Sequence, residues 1–556
     1  FLGLEPESSR GADTPPPMPP LTPVTGGGFV AEAMAPDASG AVEPATVTRY
    51  TDIACPRRVW VKAPRITVVV RLTVDRPESS QATETLTVRT DLPVQVRVQS
   101  EGFEVLNQPM QETPIRPDGD SPPLVFDLRP KREGFTDVAL DFFQGGQPLR
   151  TVTVPVEITP FEVVEGAEPR PASVVDMARD EKPPEMTLHI AWLQESGDLE
   201  FTLIREGGAW WRTFRPTRLN GSPADYTAQL YGRITSLVQY EDPAVESVLQ
   251  AERHITREDA ERRIRKLGEN LWDELIPEDL KELYGQERET WQQGTLLLFS
   301  DEPHLPWELI WPYGDDWDDD APWCHTLRLV RWLRKDAQGN GNEGPPYRLR
   351  RGSMAVLAPE YSLMKNLSNA QKEKEFLAKL IQDQGWQDVS PSRPKWRLVL
   401  DLLEGGGYDW IHAVAHGNFY PQSPDGASAL WLQQDEALTP EAIVGRQIMN
   451  HLRKARPAFF FNACQVGRQG WALTRMGGWA SRLVSGGAGL FVAPLWDVSD
   501  DKAVLFAETF YSKLLVEHAT LAEATYRARQ AARGDGDPTW LAYSVYGHPN
   551  ARLQTE

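Results

Sequence analysis

Two apolar segments in the last third of the 556-residue sequence end in residues that can perform nucleophilic chemistry. One runs from Tyr408 to His416 and is followed by Gly417, and the other runs from Phe459 to Cys464. A free thiol has a pKa of about 8.5, so only a few per cent of it is thiolate at neutral pH. A nearby imidazole can accept the thiol proton or, when charged, stabilise the thiolate. These residue types together indicate Cys464 as a nucleophile and His416 as its base.

The residue after the histidine suits the same chemistry. Gly417 has no Cβ, so a substrate carbonyl can approach the backbone there closely. The backbone amides of Gly417 and Cys464 could then donate hydrogen bonds to the oxyanion that forms when a carbonyl is attacked. We see no third side chain in the sequence that must orient His416, so the prediction is a dyad.

The elements around these residues alternate between strand and helix, which favours a mostly parallel sheet with helices on both faces. The two segments are separated by one strand and one helix, and a right-handed crossover would make their strands near neighbours. Reactive residues of such sheets collect at the carboxyl edge. The predicted strands are 354–358, 409–415, 430–433, 458–461 and 488–493, and the predicted helices are 370–384, 394–403, 439–452, 472–484, 502–516 and 520–532.

These motifs resemble those of a known family. A histidine-glycine pair followed about 50 residues later by Asn-Ala-Cys-Gln-Val-Gly resembles the caspase pattern, and the match is closer to CHAT domains, the caspase-like domains related to separase. CHAT domains show a strand ending in His-x-x-x-His-Gly, here His412 to Gly417, and a later strand ending in Ala463-Cys464. Further pieces recur in order at 305–310 (Leu-Pro-Trp-Glu-Leu-Ile), 487–501, 510–515 and 540–547. The resemblance covers roughly 185–550.

The resemblance implies a caspase-like cysteine endopeptidase that cleaves protein substrates with His416 and Cys464. It implies an α/β caspase-like (CHAT) domain made of a pseudo-caspase half at 185–345, without the dyad, and an active half at 346–556. No cofactor and no metal are implied. CHAT proteases resemble effectors of bacterial signalling or defence systems and are commonly fused to sensor or adaptor modules, so we expect an upstream sensor or adaptor as a partner.

Three residues are candidates for substrate recognition. Asn462 stands where caspases have Gln and many CHAT domains have Ser, near the caspase specificity pocket, so a caspase-like preference for Asp does not carry over. Asp497 lies in the loop that leaves the next strand, and a buried carboxylate there favours a basic P1 side chain. The competing interpretation is an apolar P1 pocket walled by Trp496, with the nearby Asp500 capping the following helix. The sequence leaves both open.

The remaining chemical residues have structural interpretations. His412 shares strand parity with His416 but lies deeper, so we expect a core histidine with a hydrogen-bond partner. Cys324 and Cys55 are expected to be structural. Two functional alternatives also stay open: a non-catalytic CHAT scaffold, and a self-processing protease that cuts its own linkers.

The first 184 residues have a different organisation. Residues 1–45 are rich in Pro and Gly and are predicted to be a disordered linker. Residues 46–160 contain seven short runs of alternating polar and apolar residues, which predict an all-β Ig-like sandwich. Residues 161–184 form a second predicted linker. Because the chain begins at Phe1 and not at Met, we expect a further module upstream.

Composition narrows the partners and the compartment. Lys plus Arg number 58 against 79 Asp plus Glu, a formal charge of −21 that argues against direct binding to nucleic acid or anionic lipids. The longest apolar runs are far shorter than the roughly 20 residues of a membrane span. Three cysteines cannot form a disulfide framework, so a reducing cytoplasm is expected.

Overall fold

The structure is a computed structural model of the chain. It describes residues 45–77, 80, 82–117, 119–161, 174–175, 182–193, 197–205, 210–219, 223–238, 257–302, 304–314, 321–334, 342–420, 423–464, 468, 470–471, 476–534 and 536–554. The predicted linkers at 1–45 and 161–184 lie largely outside these ranges. Within them, no helix combines the length and the apolar character that a membrane crossing requires.

The N-terminal region is built from strands in two sheets. These strands are β1 (Thr46–Ala54), β2 (Arg58–Trp60), β3 (Ile66–Thr73), β4 (Thr85–Arg89), β5 (Val94–Gln99), β6 (Phe103–Val105), β7 (Met110–Thr113), β8 (Leu124–Pro130), β9 (Gly134–Gln144), β10 (Gln147–Thr159) and β11 (Val174–Val175). One sheet has the order β11-β4-β1-β3-β8-β6 and the other the order β2-β10-β9-β5-β7. Neighbouring strands are antiparallel except for the pairs β11–β4 and β2–β10.

The two sheets share one hydrophobic core, to which alternate residues of the strands contribute. All seven strands predicted here are present, β5 with the predicted ends and the others with shifted ends, whereas β1, β6 and β7 were not predicted. In β1 the buried positions are Arg49, Thr51 and Ile53. Polar residues therefore carry the alternation of β1, and its hydrophobicity pattern does not reveal the strand.

The next segment contributes strands and helices to a second region. Its elements are β12 (Met186–Leu193), β13 (Asp198–Arg205), β14 (Trp210–Thr213), β15 (Thr217–Arg218), α1 (Pro223–Val238), α2 (Arg257–Leu275), α3 (Glu278–Gln286), α4 (Arg288–Trp291), β16 (Thr295–Ser300), α5 (Trp323–Thr326) and β17 (Arg328–Leu333).

The last segment holds the strands that carry His416 and Cys464. Its elements are β18 (Arg348–Leu349), β19 (Ser353–Leu357), α6 (Ala370–Asp383), β20 (Gln387–Asp388), α7 (Trp396–Gly405), β21 (Trp410–Val414), β22 (Gly417–Asn418), β23 (Ala429–Trp431), β24 (Ala437–Leu438), α8 (Arg446–Ala455), β25 (Ala458–Asn462), β26 (Gly470–Trp471), β27 (Met476–Gly477), α9 (Trp479–Gly486), β28 (Leu490–Pro494), α10 (Asp500–Tyr511), which a π-helical turn (Ser512–Val516) continues, α11 (Leu521–Ala532), α12 (Thr539–Ala542), β29 (Tyr543–Tyr546) and β30 (Arg552–Leu553).

A single mixed sheet joins both segments. Among the described residues its order is β14-β13-β12-β16-β17-β29-β28-β25-β21-β19-β20, with β15 beside β13. The strands β28, β25, β21, β19 and β20 run parallel, and β29 is antiparallel to β28 but parallel to β17. The mostly parallel sheet predicted for 346–556 is therefore present, and strands of the preceding segment extend it. The predicted strand at 430–433 corresponds to β23, which pairs antiparallel with β22 and β24 in a separate sheet.

The predicted helix at 472–484 differs from the structure. Residues Met476–Gly477 form a short strand, and the helix α9 begins only at Trp479. The residue before the helix, Gly478, has a φ of +110°, a backbone conformation that favours glycine. The Asp425 carboxylate accepts a hydrogen bond from the Gly478 amide (2.8 Å), so the helix start is fixed by a residue more than 50 positions upstream.

Buried charges connect the β-rich region to the mixed sheet. The Asp141 carboxylate of β9 accepts hydrogen bonds from Arg334, at 3.0 Å from both Nε and Nη2, and Arg334 also bonds Asp301 at 2.8 Å. His189 of β12 approaches Asp141 to 3.6 Å and accepts a hydrogen bond from Arg97 of β5 at 2.7 Å. Asp141, His189, Arg97 and Arg334 are all at most 2% exposed. We call these four residues and Asp301 the interface charge cluster.

Candidate active site

His416 and Cys464 occupy equivalent positions at one edge of the mixed sheet. Their strands β21 and β25 pair in parallel, as predicted, and the last pair in the register is Val414 with Asn462. His416 and Cys464 each lie two residues beyond that pair, where both strands have ended. The carboxyl edge of the parallel strands therefore brings the two residues into one neighbourhood.

The His416 ring is held by two groups that the sequence did not reveal. Its Nε2 donates a hydrogen bond to the Lys365 carbonyl (2.7 Å), and its backbone amide donates to the Tyr361 hydroxyl (2.8 Å). The Tyr361 ring also packs against the imidazole, with a centroid distance of 4.8 Å, and its hydroxyl donates to the Trp431 carbonyl. Because a carbonyl only accepts, the proton of a neutral His416 is on Nε2. Nδ1 is then the nitrogen that can receive a proton.

The loop that supplies the Lys365 carbonyl is tied to its surroundings through its backbone. The Asp435 carboxylate accepts hydrogen bonds from the amides of Ser362 (3.1 Å), Leu363 (2.9 Å) and Met364 (3.4 Å). These bonds hold the loop from outside, at the residues immediately before Lys365.

Asp500 ties the other end of the same loop. It was expected to cap the helix α10, but the residue preceding that helix is Ser499, and Asp500 is its first residue. The Asp500 carboxylate accepts hydrogen bonds from the backbone amide (2.9 Å) and the hydroxyl (2.7 Å) of Ser368. Its role in the structure is to connect α10 to the loop before α6.

The environment of Cys464 keeps its thiol protonated. Burial, the charge of Asp497 and the hydrogen bond to its carboxylate together raise the pKa of the thiol to about 12, while the Val498 amide opposes this effect. The thiol hydrogen-bonds to the Asp497 carboxylate. The pKa values of Cys55 and Cys324 are also raised to about 12 by burial, but those two residues are fully buried, as expected for structural cysteines, whereas Cys464 is partly exposed.

Asp497 also faces a cation. The Arg468 guanidinium lies 4.3 Å from the ring centroid of Tyr231 and 4.8 Å from that of Phe419. Burial lowers the pKa of Arg468, and the charge of Asp497 is among the effects that oppose this lowering. Trp496, the proposed wall of an apolar pocket, is fully buried, with its ring 6.5 Å from that of Tyr231.

His412 and Asn462 belong to a buried polar network below the strand ends. As expected, His412 is fully buried with partners: Nε2 lies 2.9 Å from the Glu373 carboxylate, and Nδ1 lies 2.9 Å from the Tyr511 hydroxyl. The Asn462 side-chain amide donates to both Glu373 oxygens at 3.0 Å, and its carbonyl accepts from the Tyr543 hydroxyl at 2.7 Å. We call these five side chains the Glu373 network.

Glu373 was missed although the sequence contains a signal for it. The buried face of α6 consists of positions 373, 377, 380 and 381, which is the spacing of an amphipathic helix. Leu377, Leu380 and Ile381 fit that face, and Glu373 is the charged residue in phase with them. A carboxylate in an apolar stripe indicates a buried polar partner.

A cleft between α6 and α10 opens beside Cys464. It is lined by the residues Leu367, Asn369, Ala370, Glu373, Val414, Ala415, Asn462, Ala463, Cys464, Val498, Asp500, Ala503 and Val504. Among the described residues, no group of three or more His, Cys, Asp or Glu side chains is placed to hold a metal ion.

A match to a known protein family begins within the helix α2. Residues 265–551, more than half of the chain, match the family model of the CHAT domain. The chain belongs to the CHAT family. The CHAT resemblance inferred from the separate motifs is thereby confirmed, and the match includes His416, Cys464 and the whole Glu373 network.

Other known proteins are only distantly similar to this CHAT chain. None of the curated proteins matches it. Among solved structures, separase in the Saccharomyces cerevisiae separase–securin complex is 13% identical with a TM-score of 0.41, covering 66% of this chain and 30% of that chain. The Arg-specific cysteine proteinase gingipain R of Porphyromonas gingivalis is 13% identical (TM-score 0.34, 60% and 76%). The Drosophila initiator caspase Dronc is 11% identical (TM-score 0.26, 37% and 83%).

Proposed function

We propose that this CHAT protein is a cysteine endopeptidase that cleaves protein substrates with Cys464 as nucleophile and His416 as general base. The observation that carries the proposal is the equal placement of the two residues, each two positions beyond the Val414–Asn462 pair of neighbouring parallel strands. The Lys365 carbonyl supports it, because it keeps the proton of neutral His416 on Nε2 and leaves Nδ1 to act as base.

In the proposed reaction, the thiol proton moves to His416 Nδ1, and the sulfur attacks the peptide carbonyl. The negative charge develops on the carbonyl oxygen, where the amides of Gly417 and Cys464 would donate hydrogen bonds. The imidazolium then gives its proton to the leaving amine, and a thioester remains on Cys464. Water, deprotonated by His416, hydrolyses the thioester and restores the thiol.

In this proposal the hydrogen bonds of Cys464 and His416 are those of a resting state. The thiol hydrogen-bonds to Asp497 and its pKa is raised, so it is protonated at neutral pH. His416 makes its hydrogen bonds to the backbone and to Tyr361. Catalysis therefore requires the thiol to exchange Asp497 for His416.

The separate hydrogen bonds of Cys464 and His416 favour a second candidate function, a non-catalytic CHAT scaffold. In a scaffold the separate hydrogen bonds of His416 and Cys464 would be permanent. A peptide carrying a thiol-directed electrophile distinguishes the two: a peptidase is labelled at Cys464 and loses labelling in His416→Ala, whereas a scaffold is labelled in neither form. Weighing the products of wild type and Cys464→Ala after incubation detects self-processing in the linkers at 1–45 or 161–184.

For specificity, we propose a basic P1 side chain that pairs with Asp497. The position of Asp497 beside the Cys464 sulfur supports this, because P1 lies next to the attacked carbonyl. Arg468 already shares the charge of Asp497, so a basic P1 group would compete with it. An apolar pocket walled by Trp496 has less support, since that side chain is fully buried. Asn462 lines the cleft, but its amide is occupied by Glu373 and Tyr543.

The remaining parts of the proposal concern organisation. We propose that 185–345 is a pseudo-caspase half, that 346–556 is the active half, and that 46–160 is an Ig-like module between them and an upstream sensor or adaptor. Such an arrangement suits an effector of a bacterial signalling or defence system in the cytoplasm. Co-purification of the full chain with partners from its own host tests the adaptor.

A further inference from the structure

We infer that Glu373 is a positioning residue that holds the nucleophile strand and the histidine strand in the register that catalysis needs. The inference rests on the proposed function and adds a residue to it. Glu373 accepts hydrogen bonds from both strands, from His412 of β21 and from Asn462 of β25. Its carboxylate thus bridges the two strands shortly before their catalytic ends.

The bridge is close to the reacting residues. His412 lies four residues before His416, and Asn462 lies two residues before Cys464. Alternate residues of a strand share a face, so His412 and Asn462 both point from their strands toward the helix α6 that carries Glu373. Asn462 is also the last residue of β25, so the bridge acts on the point where the strand gives way to the nucleophile loop.

The network is complete, which makes it rigid. Both oxygens of Glu373, both ring nitrogens of His412 and both polar atoms of Asn462 have partners, and Tyr511 and Tyr543 close the two ends. All five side chains are at most 6% exposed. Buried networks in which every group is paired specify one arrangement, whereas removing one member leaves costly unpaired groups.

A buried network of this kind contributes to stability. The location of the Glu373 network argues that it also positions the catalytic ends of the two strands. Glu373 and Asn462 both line the cleft beside Cys464. A hydrophobic side chain at 373 would complete the apolar face of α6, so packing alone does not call for a carboxylate there. A carboxylate that accepts from both strands supplies directional bonds, which apolar packing cannot.

The test exchanges the two partners. In Glu373→Gln the carboxylate is lost, and the new amide group competes with the amide of Asn462 and with His412. In the double variant Glu373→Gln/Asn462→Asp, the glutamine oxygen can accept from His412 while its amide donates to the new carboxylate, which still accepts from Tyr543. Glu375→Gln on the exposed face of α6 is the matched control. Tyr543→Phe removes one outer bond only and serves where the larger change prevents folding.

Each variant is measured for kcat and KM on a cleaved peptide, for its melting midpoint, and for the rate at which iodoacetamide modifies Cys464, followed by peptide mass spectrometry. We expect Glu373→Gln to lower kcat at least tenfold with KM within twofold, and to raise the alkylation rate at least threefold because the strand end loosens. The double variant should recover kcat to within about threefold of wild type, and Tyr543→Phe should lower kcat about threefold.

Folded Glu373→Gln with unchanged kcat and unchanged alkylation would overturn the inference and leave a purely structural network. A double variant that folds but recovers no activity would overturn it too. If wild type cleaves nothing through Cys464, the proposed function fails, and the alkylation rate alone then decides whether Glu373 positions the thiol.

Discussion

At the scale of single residues, His416 and Cys464 follow the ends of neighbouring strands, and their described hydrogen bonds go to other groups. The Lys365 carbonyl fixes the histidine tautomer, and Asp497 holds the thiol in its protonated form. A nucleophile kept protonated until substrate arrives is also protected from oxidation, which proceeds through the thiolate. Under the proposed function, this arrangement would protect the nucleophile until a substrate binds.

We predict that Cys464→Ala and His416→Ala each abolish cleavage without unfolding the chain. Residues of a catalytic pair act as a unit, so the double variant should be no slower than either single variant. The measurement is turnover of a peptide substrate, with melting midpoints as a control for folding. A single variant that keeps more than about a tenth of the wild-type rate would disprove the dyad.

The substitution Asp497→Asn tests two proposed effects of this carboxylate, one on the pKa of the Cys464 thiol and one on the choice of the P1 side chain. The carboxylate raises the pKa of Cys464, so its removal lowers that pKa and increases the thiolate fraction at any given pH below it. The pH profile of iodoacetamide alkylation at Cys464 should therefore shift toward lower pH.

The same Asp497→Asn variant should cleave an Arg substrate more than about tenfold more slowly, while an apolar substrate is little affected, because a desolvated charge-assisted pair is worth roughly 1.5–3 kcal/mol. Equal losses on both substrates would mean that Asp497 supports the loop and does not bind P1.

At the scale of elements, the loop between β19 and α6 is the part on which His416 depends. Asp435→Ala removes three backbone hydrogen bonds from that loop and should release the Lys365 carbonyl. We expect kcat to fall roughly tenfold, the equivalent of about 1.4 kcal/mol, with a small change in the melting midpoint. Asp401→Ala on the exposed side of α7 is the control and should leave kcat unchanged.

The elements of the parallel sheet were largely predictable, because apolar strands and amphipathic helices leave periodic patterns. The pairing of the strands that precede His416 and Cys464 followed from the crossover rule and is confirmed. The predicted start of α9 was wrong, because the start depends on a hydrogen bond from the Gly478 amide to Asp425, which is distant in sequence. The Lys365 carbonyl could not be predicted either, since a backbone group carries no sequence signal. Glu373 was visible in the phase of its helix and was overlooked.

At the scale of the whole molecule, the interface charge cluster connects the β-rich region to the mixed sheet. Burial alone would raise the pKa of Asp141, but the charge of Arg334 and the hydrogen bonds from Arg334 and Thr151 outweigh it and lower the pKa well below its usual range. We predict that Asp141→Asn destabilises the full chain by about 3–5 kcal/mol, because it leaves the buried Arg334 without its main partner. Denaturant unfolding measures this difference.

The same lowered pKa sets a pH dependence. A carboxyl group with a depressed folded pKa contributes stability above its unfolded value, near 3.9, and loses that contribution as the pH falls below it. The gap in stability between wild type and Asp141→Asn should therefore be full at pH 7 and narrow below about pH 4. A gap that is constant down to pH 3 would contradict this assignment.

Residues 46–160 are predicted to fold alone, because their two sheets share a core of their own. The separate fragment should show a β-type circular dichroism spectrum and a cooperative melt. In the fragment Asp141 lacks Arg334 and His189, so Asp141→Asn should stabilise it or leave it unchanged, the opposite of its effect in the full chain. A disordered spectrum would refute the independent fold.

The position of β29 has a consequence for synthesis on the ribosome. This strand lies between β17 and β28 in the mixed sheet, yet it is the last strand of that sheet to be translated. About 80 residues separate Cys464 from the end of β29, so at 5–20 residues per second the nucleophile is translated roughly 4–16 s before the sheet can close. Tyr543, the partner of Asn462, is the first residue of β29. If His416 and Cys464 are catalytic as proposed, a nascent chain contains both of them while it still lacks the strand that completes the Glu373 network, and we expect no proteolysis until translation has passed residue 546.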